Sequence, residues 1–216
     1  MGIIVGLWML MVMHVLILKF VNPPLTNAMA WKWLRAQLSS EEYEKPRYHW
    51  RPLKKISPHL IRAVQAGEDQ RFVAHHGFDF VELNQAAKDF LWAGRIRGAS
   101  TISMQTARTL FLWQDRSWIR KSLEAQYTIL LEALWSKRRI LEIYLNTVDW
   151  GDGIMGAEAA SKIYFHTNAS RLTASQAALL AAILPSPHRW SPANPSTYLR
   201  ERQKRIMEDM GKMPLP

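Results

Sequence analysis

Two adjacent carboxylates open the segment EDQRFVAHHG at residues 68–77. Glu68 and Asp69 repel each other when both are ionised, so their pairing does not by itself favour folding. A glutamate that is partly desolvated near Phe72 and His75 could act as a general base. A lone glutamate is more often an ordinary surface acid in a loop, so this segment needs support from elsewhere in the chain.

A second candidate is GASTISMQTAR, at residues 98–108. Ser100 and Thr101 are typical caps of a following helix, and the free N–H groups of a helix N-terminus bind anions. Gln105 and Arg108 are three residues apart and would share one helix face. The alternative is a capped helix with ordinary polar residues. The segment is no Walker motif, because it lacks the GK[ST] ending.

Two further segments carry charge on predicted helices. In RKSLE, Arg120 and Glu124 form an i, i+4 pair, which in isolation is most often a surface ion pair. The segment KRRILEIYLN begins at Lys137 and ends at Asn146. Its apolar positions are expected in the core, so Lys137 and Asn146 are its residues available for function.

Composition limits the chemistry. The chain has 216 residues and no cysteine, which excludes disulfides, cysteine zinc sites and thiol nucleophiles. The HExxH metal spacing is also absent. The formal net charge is +10, and residues 95–121 hold six basic side chains against one acid, Asp115. Composition alone favours a solvated basic face, and the alternative is a surface that binds a polyanion.

The N-terminus is strongly apolar. Residues 2–18 carry no Lys, Arg, Asp or Glu, and with Phe20 and Val21 the stretch is just long enough for a spanning helix of ~17–25 residues. A cleaved signal peptide is less favoured, because a basic leader and a small-residue cleavage site are not evident. Trp31 and Trp33 suit a membrane interface.

The remaining pattern is helical. Ser57 with Pro58 predicts a helix start, and that helix should deliver Glu68 near its end. Capping boxes are expected at Asp79 with Glu82 and at Thr173 with Gln176. One long apolar stripe runs through residues 118–146, with a break expected at 137–139. No strand alternation is evident, so the sequence predicts a mostly α protein.

Taken in order, these segments resemble the peptidoglycan glycosyltransferases of glycosyltransferase family 51, whose domain also occurs in class A penicillin-binding proteins. The resemblance covers residues 48–210 and includes a weaker fifth motif, RQKRIMEDM, at 202–210. It implies a lysozyme-like glycosyltransferase domain with a small membrane-associated lobe, preceded by one N-terminal transmembrane helix. The expected boundaries are an anchor at 1–21, a juxtamembrane linker at 22–47 and the glycosyltransferase domain at 48–216.

The short anchor and the end of the chain resemble the monofunctional branch, since SxxK and KTG motifs of a transpeptidase are absent. The apolar residues Phe90, Leu91 and Trp92 are candidates for the lobe.

The resemblance implies a reaction. Lipid II would be polymerised into linear glycan strands, with the acceptor GlcNAc 4-hydroxyl attacking C1 of the MurNAc at the reducing end of the growing strand. Undecaprenyl pyrophosphate would leave, and the anomeric centre would invert to a β-1,4 link. An inverting displacement needs a base for the incoming hydroxyl, and positive charge for the leaving pyrophosphate.

The resemblance also assigns roles. Glu68 would be the base, and Glu124 the second essential carboxylate, which would hold Mg2+ or Mn2+ or orient basic side chains. Asp69 is expected to be a structural hydrogen-bond acceptor. The expected substrate-binding residues are Asp69, Phe72, His75, Gly77, Gly98, Ser100, Thr101, Gln105, Arg108, Arg120, Lys121, Lys137 and Asn146.

The sequence departs from the family pattern at three places. The Gln-Gln pair of the second motif is Met104-Gln105, its Lys-Asn is Arg108-Thr109, and a basic residue shortly after the first motif is Gln85. Arg in place of Lys keeps the charge and adds a bidentate fork for phosphate. Met104 and Gln85 remove polar contacts, so substrate affinity or processivity is expected to differ.

Location raises a conflict. Lipid II polymerisation implies a single-pass protein of the cytoplasmic membrane with its domain on the periplasmic or outer face. Lys19, Lys32 and Arg35 follow the apolar stretch and no basic residue precedes it, which favours the opposite orientation. The chemistry is the stronger argument, and a start codon upstream of Met1 with missing basic residues would reconcile the two.

The expected partners are lipid II, the growing glycan strand and membrane lipid, with cell-division or elongation proteins as candidates. Two other functions stay open. One is a membrane-anchored lysozyme-like hydrolase, which needs no pyrophosphate site. The other is a catalytically weak scaffold of the cell-wall machinery. Nucleic-acid binding, the generic interpretation of the positive charge, is disfavoured because no recognition motif is present.

Overall fold

The structure is a computed structural model that describes residues 2–39, 45–94, 98–113 and 117–216. Ten α-helices, two short strands and two 3₁₀ turns occur in this part of the chain. In order they are α1 (Gly2–Phe20), α2 (Asn27–Ser39), β1 (Arg47–Tyr48), a 3₁₀ turn (Leu53–Lys55), α3 (Pro58–Glu68), α4 (Phe80–Ala93), α5 (Ile102–Phe111), α6 (Trp118–Leu134), α7 (Lys137–Thr147), β2 (Ile154–Met155), α8 (Ala157–Phe165), a 3₁₀ turn (Ala169–Arg171), α9 (Ala174–Ile183) and α10 (Thr197–Met210).

The predicted helix starts are confirmed at the side chains that cap them. Ser57 accepts a hydrogen bond from the His59 N–H with Pro58 in the first turn, and α3 ends at Glu68. Asp79 caps α4. Thr173 opens α9 in a complete capping box, with its partner three residues on. Each cap satisfies N–H groups that have no partner inside the helix.

The prediction of a mostly α protein is confirmed, but one detail of it is wrong and one feature was not predicted. The break in the stripe at residues 118–146 comes earlier than residue 137: α6 ends at Leu134, and Ser136 caps α7 by accepting from the Arg139 N–H. Strands are also present, since β1 and β2 pair in parallel, Arg47 with Ile154 and Tyr48 with Met155. Two-residue strands are too short to show an alternation in the sequence.

The core has two groups of helices. Helix α3 packs on α9 and α10, and α5 packs on α6 and α7. Helix α9 is apolar all round and buried from Ala177 to Ile183, as expected for a helix enclosed on every side. Helices α3, α9 and α10 form one group, and α5, α6 and α7 form the other. Glu68, at the end of α3, lies where the first of these groups meets α5.

Helix α1 lies against α6. The Trp135 indole donates a hydrogen bond of 2.9 Å to the Val15 carbonyl, and Val15 is fully buried. Arg139 donates to the carbonyls of Leu18 and Val21, which lie at the C-terminal end of the helix. The Leu18 and Val21 carbonyls lie at the helix end, where a carbonyl has no N–H partner within the helix, so Arg139 satisfies them.

No helix within the described ranges combines the length and the apolar character needed to cross a membrane. The predicted anchor at 1–21, like the predicted domain boundaries, stays a prediction.

Helix α4 is exposed. Phe90, Leu91 and Trp92 project into solvent near its C-terminal end, with Trp92 88% exposed. The basic stretch ahead of α6 is only partly described. Arg95, Arg97, Asp115 and Arg116 lie outside the described residues.

Candidate active site

A cleft of about 500 Å³ opens where the end of α3 meets the start of α5 and one face of α10. Six residues singled out from the sequence contribute to its lining: Glu68, Asp69, Gly98, Ser100, Thr101 and Gln105. Helix α10 adds Arg202, Arg205 and Asp209, which the sequence did not single out. The first, second and fifth motifs therefore meet in one cavity.

Glu68 is held by few partners. One of its oxygens accepts a 3.0 Å hydrogen bond from the Gln105 amide, and the other lies 3.4 Å from the Arg202 guanidinium. Its side chain is 11% exposed. Burial raises the pKa of Glu68 above its usual value, while the Gln105 hydrogen bond and the charges of Arg202 and Arg108 oppose the rise. A carboxylate in such a setting can take up and release a proton.

Asp69 also borders the cleft, but its oxygens are occupied by hydrogen bonds within the protein. It accepts hydrogen bonds from the Ile102 N–H, at 2.9 Å, and from Nε2 of His75, at 3.0 Å. Nδ1 of His75 accepts from the Gly77 N–H, so the proton of the neutral ring is on Nε2. Asp69 therefore fixes the N-terminus of α5 against the first motif, in agreement with the structural role expected from the sequence.

Gly77 and Thr101 form a close junction. The Thr101 hydroxyl donates a 2.6 Å hydrogen bond to the Gly77 carbonyl. Gly77 has a φ of +94°, and a Cβ there would come within 2.8 Å of the Thr128 methyl group. Only glycine both adopts this positive φ without strain and leaves the space that a Cβ would fill. This junction sets the distance between the general-base candidate and the segment around Ser100.

Glu124 forms a separate ionic cluster with its neighbours on α6. Its side chain is fully buried, and its oxygens lie 2.7 Å from Nη1 of Arg120 and 2.5 Å from Nζ of Lys121. It does not line the cleft. The Lys121 side chain is 43% exposed, so the buried carboxylate of Glu124 holds the Lys121 ammonium group at the surface.

Three other predicted residues lie in the packing around the site. Phe72 is fully buried, and Nζ of Lys137 lies 4.5 Å from its ring centre while pairing with Glu132 at 2.7 Å. Asn146 is buried and binds both backbone groups of Arg51. Lys137 and Asn146 do not line the cleft, so their observed contacts are structural. The reason is that α7 turns both side chains inward.

The donor atoms available for a divalent cation fit one poorly. Both oxygens of Glu124 already face cations. Asp69, His75 and Asp79 have ligand atoms within 4.8 Å of one another. However, Asp69 and His75 bind each other, and Asp79 caps α4 and pairs with Arg71 at 3.1 Å. Within the described residues, neither group has the free anionic oxygens that Mg2+ or Mn2+ requires.

Two residues that contact the Glu68–Gln105 pair were missed by sequence reasoning. Arg202 lies in the weakest of the five motifs, and no local feature separates it from the other basic residues of α10. Tyr144 lies in the segment 137–146, where the sequence indicated only Lys137 and Asn146 for function, and it is buried. Its hydroxyl nevertheless donates to the Gln105 side chain at 3.1 Å. Both contacts join helices that are far apart in the chain, so no spacing within one segment could have indicated them.

Comparisons with known proteins agree with the geometry. Residues 35–211 match the family described as Transglycosylase. A biosynthetic peptidoglycan transglycosylase from Rhodospirillum centenum is 48% identical over 97% of this chain and 88% of its own length. Proteins of the same description from Pseudomonas syringae and Chromohalobacter salexigens are 47% and 52% identical, over 94% and 76% of this chain and 85% and 70% of their own lengths.

Proposed function

The chain belongs to the transglycosylase family, and on that premise we propose that it polymerises lipid II into peptidoglycan glycan strands by inverting β-1,4 glycosyl transfer. The names of its relatives support a peptidoglycan transglycosylase activity. Lipid II and the growing strand are its substrates, and undecaprenyl pyrophosphate is the product released. The observation that carries the proposal is Glu68 in the cleft, mostly buried, with its pKa raised.

Glu68 acts as the general base. Its carboxylate takes the proton of the acceptor GlcNAc 4-hydroxyl as that oxygen forms a bond to C1 of the donor MurNAc. The bond from C1 to the pyrophosphate oxygen breaks, and the electron pair leaves with the pyrophosphate. Gln105 donates to Glu68 and keeps one carboxylate oxygen oriented. Ser100 and Thr101, on the same wall of the cleft, contribute to the donor subsite.

Positive charge stabilises the leaving pyrophosphate. Arg108 is the one basic residue of the second motif, and it lies near enough to Glu68 to lower the pKa of that carboxyl. Arg120 and Lys121 add the charge of the third motif, with Glu124 as the counter-ion that orients them. A divalent cation would add positive charge at the pyrophosphate. The described residues fit one poorly, so the expected use of Mg2+ or Mn2+ stays a prediction.

The location of the chain is part of the proposal. The uncharged residues 2–18 and the exposed Phe90, Leu91 and Trp92 support a protein that meets the lipid from which its substrate projects. The catalytic domain would then face the periplasm or the outer side of the cytoplasmic membrane. Protease treatment of intact spheroplasts tests this, since only an outward-facing domain would be cut.

The function is tested by incubating the detergent-solubilised protein with labelled lipid II and separating the products by size. The wild type should make glycan polymer, and Glu68→Gln should make none. Glu201→Gln is the matched control, because Glu201 is an exposed glutamate on α10. Polymer from Glu68→Gln would refute the assigned base. Cleavage of preformed strands without any synthesis would favour the hydrolase, and neither activity would favour the scaffold.

A further inference from the structure

Three side chains form a hydrogen-bonded chain from the core to the cleft. Tyr144, on α7, donates from its hydroxyl to Oε1 of Gln105 at 3.1 Å. Gln105, on α5, donates from Nε2 to Oε2 of Glu68 at 3.0 Å. Tyr144 is 1% exposed, whereas Glu68 lines the cleft. The amide therefore connects a buried phenol with the carboxylate that meets the substrate.

The surroundings allow only one orientation of the Gln105 amide. Its nitrogen faces two groups that can only accept, the Glu68 carboxylate at 3.0 Å and the Ser100 carbonyl at 3.4 Å. Its oxygen faces the Tyr144 hydroxyl, which can donate. Reversing the amide would place its oxygen against two other acceptors, and the Tyr144 hydroxyl would lose its acceptor. The donor to Glu68 is therefore fixed from both ends.

We propose that Tyr144 is a positioning residue of the transfer reaction: through Gln105 it holds an N–H donor on Glu68, which stabilises the ionised form that accepts the proton. The inference rests on the proposed function, in which Glu68 is the base. Tyr144 touches neither the reacting atoms nor the cleft. Its effect on catalysis therefore passes through the amide of Gln105.

The other groups facing Glu68 do not replace this donor. Asp69, its neighbour at the end of α3, raises the pKa of Glu68, and Arg202 from α10 and Arg108 from α5 lower it. Arg202 is 3.4 Å away and shares its Nη2 with the Gly67 carbonyl at 3.0 Å. The pKa of Tyr144 is raised well above its usual value by burial, so its hydroxyl keeps its proton across any assay range.

The test is the pH dependence of kcat/KM for polymerisation by wild type, Tyr144→Phe, Gln105→Leu and the double variant. A base must be ionised, so activity falls as pH falls through the pKa of Glu68. Tyr144→Phe removes the donor to the amide oxygen, so the amide is held only at its nitrogen end, which weakens its hydrogen bond to Glu68 and raises that pKa. Its acid limb should move to higher pH, with kcat/KM about three- to tenfold lower on that limb. Adding Tyr144→Phe to Gln105→Leu should not move the acid limb of kcat/KM any further.

Tyr164→Phe is the matched control. It also removes a phenolic hydroxyl that donates a hydrogen bond, in this case to the backbone carbonyl of Trp150 at 2.9 Å, outside the cleft. Its acid limb should coincide with that of the wild type. A merely structural role for Tyr144 would lower kcat/KM equally at every pH, as loss of folded protein does. The proposal is overturned if Tyr144→Phe leaves the acid limb of kcat/KM at the wild-type pH. It is also overturned if the shifts of that limb caused by Tyr144→Phe and Gln105→Leu add up in the double variant.

A second readout does not depend on activity. The free energy of unfolding is compared between each protein and its Glu68→Gln counterpart across pH. The difference between the two free energies of unfolding changes with pH until Glu68 is fully ionised in the folded state, and it is constant above that pH. This constant value should be reached at a higher pH in the Tyr144→Phe background. If the wild type makes no polymer, the proposed function fails, yet this difference still decides whether Tyr144 acts on Glu68.

Discussion

Glu68 and Glu124 are two buried carboxylates with opposite surroundings. Glu68 has one amide donor at 3.0 Å and a guanidinium at 3.4 Å, and it borders open space. Glu124 is fully enclosed and touches two cations at 2.7 and 2.5 Å. Glu68 lies where three motifs meet, whereas both partners of Glu124 come from its own helix. The two carboxylates are therefore suited to different work.

The difference shows what separates a proton acceptor from a counter-ion. A carboxylate that exchanges a proton must be nearly as stable protonated as ionised, so it needs few strong partners. A carboxylate that holds cations in place needs strong partners and no access to solvent. Sequence alone presents both as glutamates in family motifs.

The largest effect is expected at Glu68. Glu68→Gln keeps a similar shape and removes the base, so kcat for polymerisation should fall by about 10³-fold, within the range that general-base removal causes. Initial rates with lipid II measure this, with circular dichroism to confirm folding. A loss smaller than about tenfold would mean that another group accepts the proton.

Glu124→Gln should act first on stability. It leaves the Arg120 guanidinium buried without its anion, a change that costs about 3–5 kcal/mol when one partner of a buried pair is removed. The free energy of unfolding in urea measures the loss. Activity of the folded fraction should fall by about 10–100-fold, because Arg120 and Lys121 lose their orientation.

The double variant Arg120→Met/Glu124→Leu sharpens this prediction. Replacing both charges with apolar side chains should recover most of the stability but none of the activity. Recovery of both would show that the pair has only a structural role and that the comparison with Glu68 is misplaced.

Arg202 is expected to have a smaller effect on the same base. Its charge lowers the pKa of Glu68, so Arg202→Met should raise that pKa and move the acid limb of kcat/KM to higher pH. The rate on that limb should fall by about tenfold. Arg202→Lys keeps the charge, so its acid limb should lie between those of Arg202→Met and the wild type. An Arg202→Met profile that coincides with that of the wild type would remove Arg202 from the site.

The smallest effect concerns stability against pH. The folded pKa of Glu68 is raised above its unfolded value, so the folded state binds more protons between the two values. Ionised Glu68 therefore costs stability as pH rises through this window, and the cost is absent below the unfolded pKa. Glu68→Gln should be more stable than the wild type at neutral pH and equal to it in acid. Thermal unfolding at several pH values checks the sign.

Local features of the fold could be predicted from the sequence, and contacts between distant segments could not. Ser57, Asp79 and Thr173 announce their helices because a cap depends on residues two or three positions away. Glu68 was placed correctly at a helix end for the same reason. The α6–α7 break was misplaced because Lys137, Arg138 and Arg139 look like a terminus, whereas Ser136 is the cap.

The same distinction holds for the site. The motifs identified Glu68, Gln105 and Thr101, which do meet in the cleft. They also indicated Asn146, whose amide binds the backbone of Arg51 and does not line the cleft. Tyr144 was hidden among core residues, since a phenol that is mostly apolar fits a core stripe. Only the packing of α7 on α5 reveals its bond to Gln105.

The docking of α1 on α6 has a practical consequence for protein production. The indole of Trp135 and the ring of Phe111 are covered by Val15 and His14 of that helix. Removing residues 1–21 to obtain a more tractable enzyme would uncover this apolar surface and leave the Trp135 N–H without its acceptor. A shortened version should therefore self-associate or require detergent even though its cleft is intact.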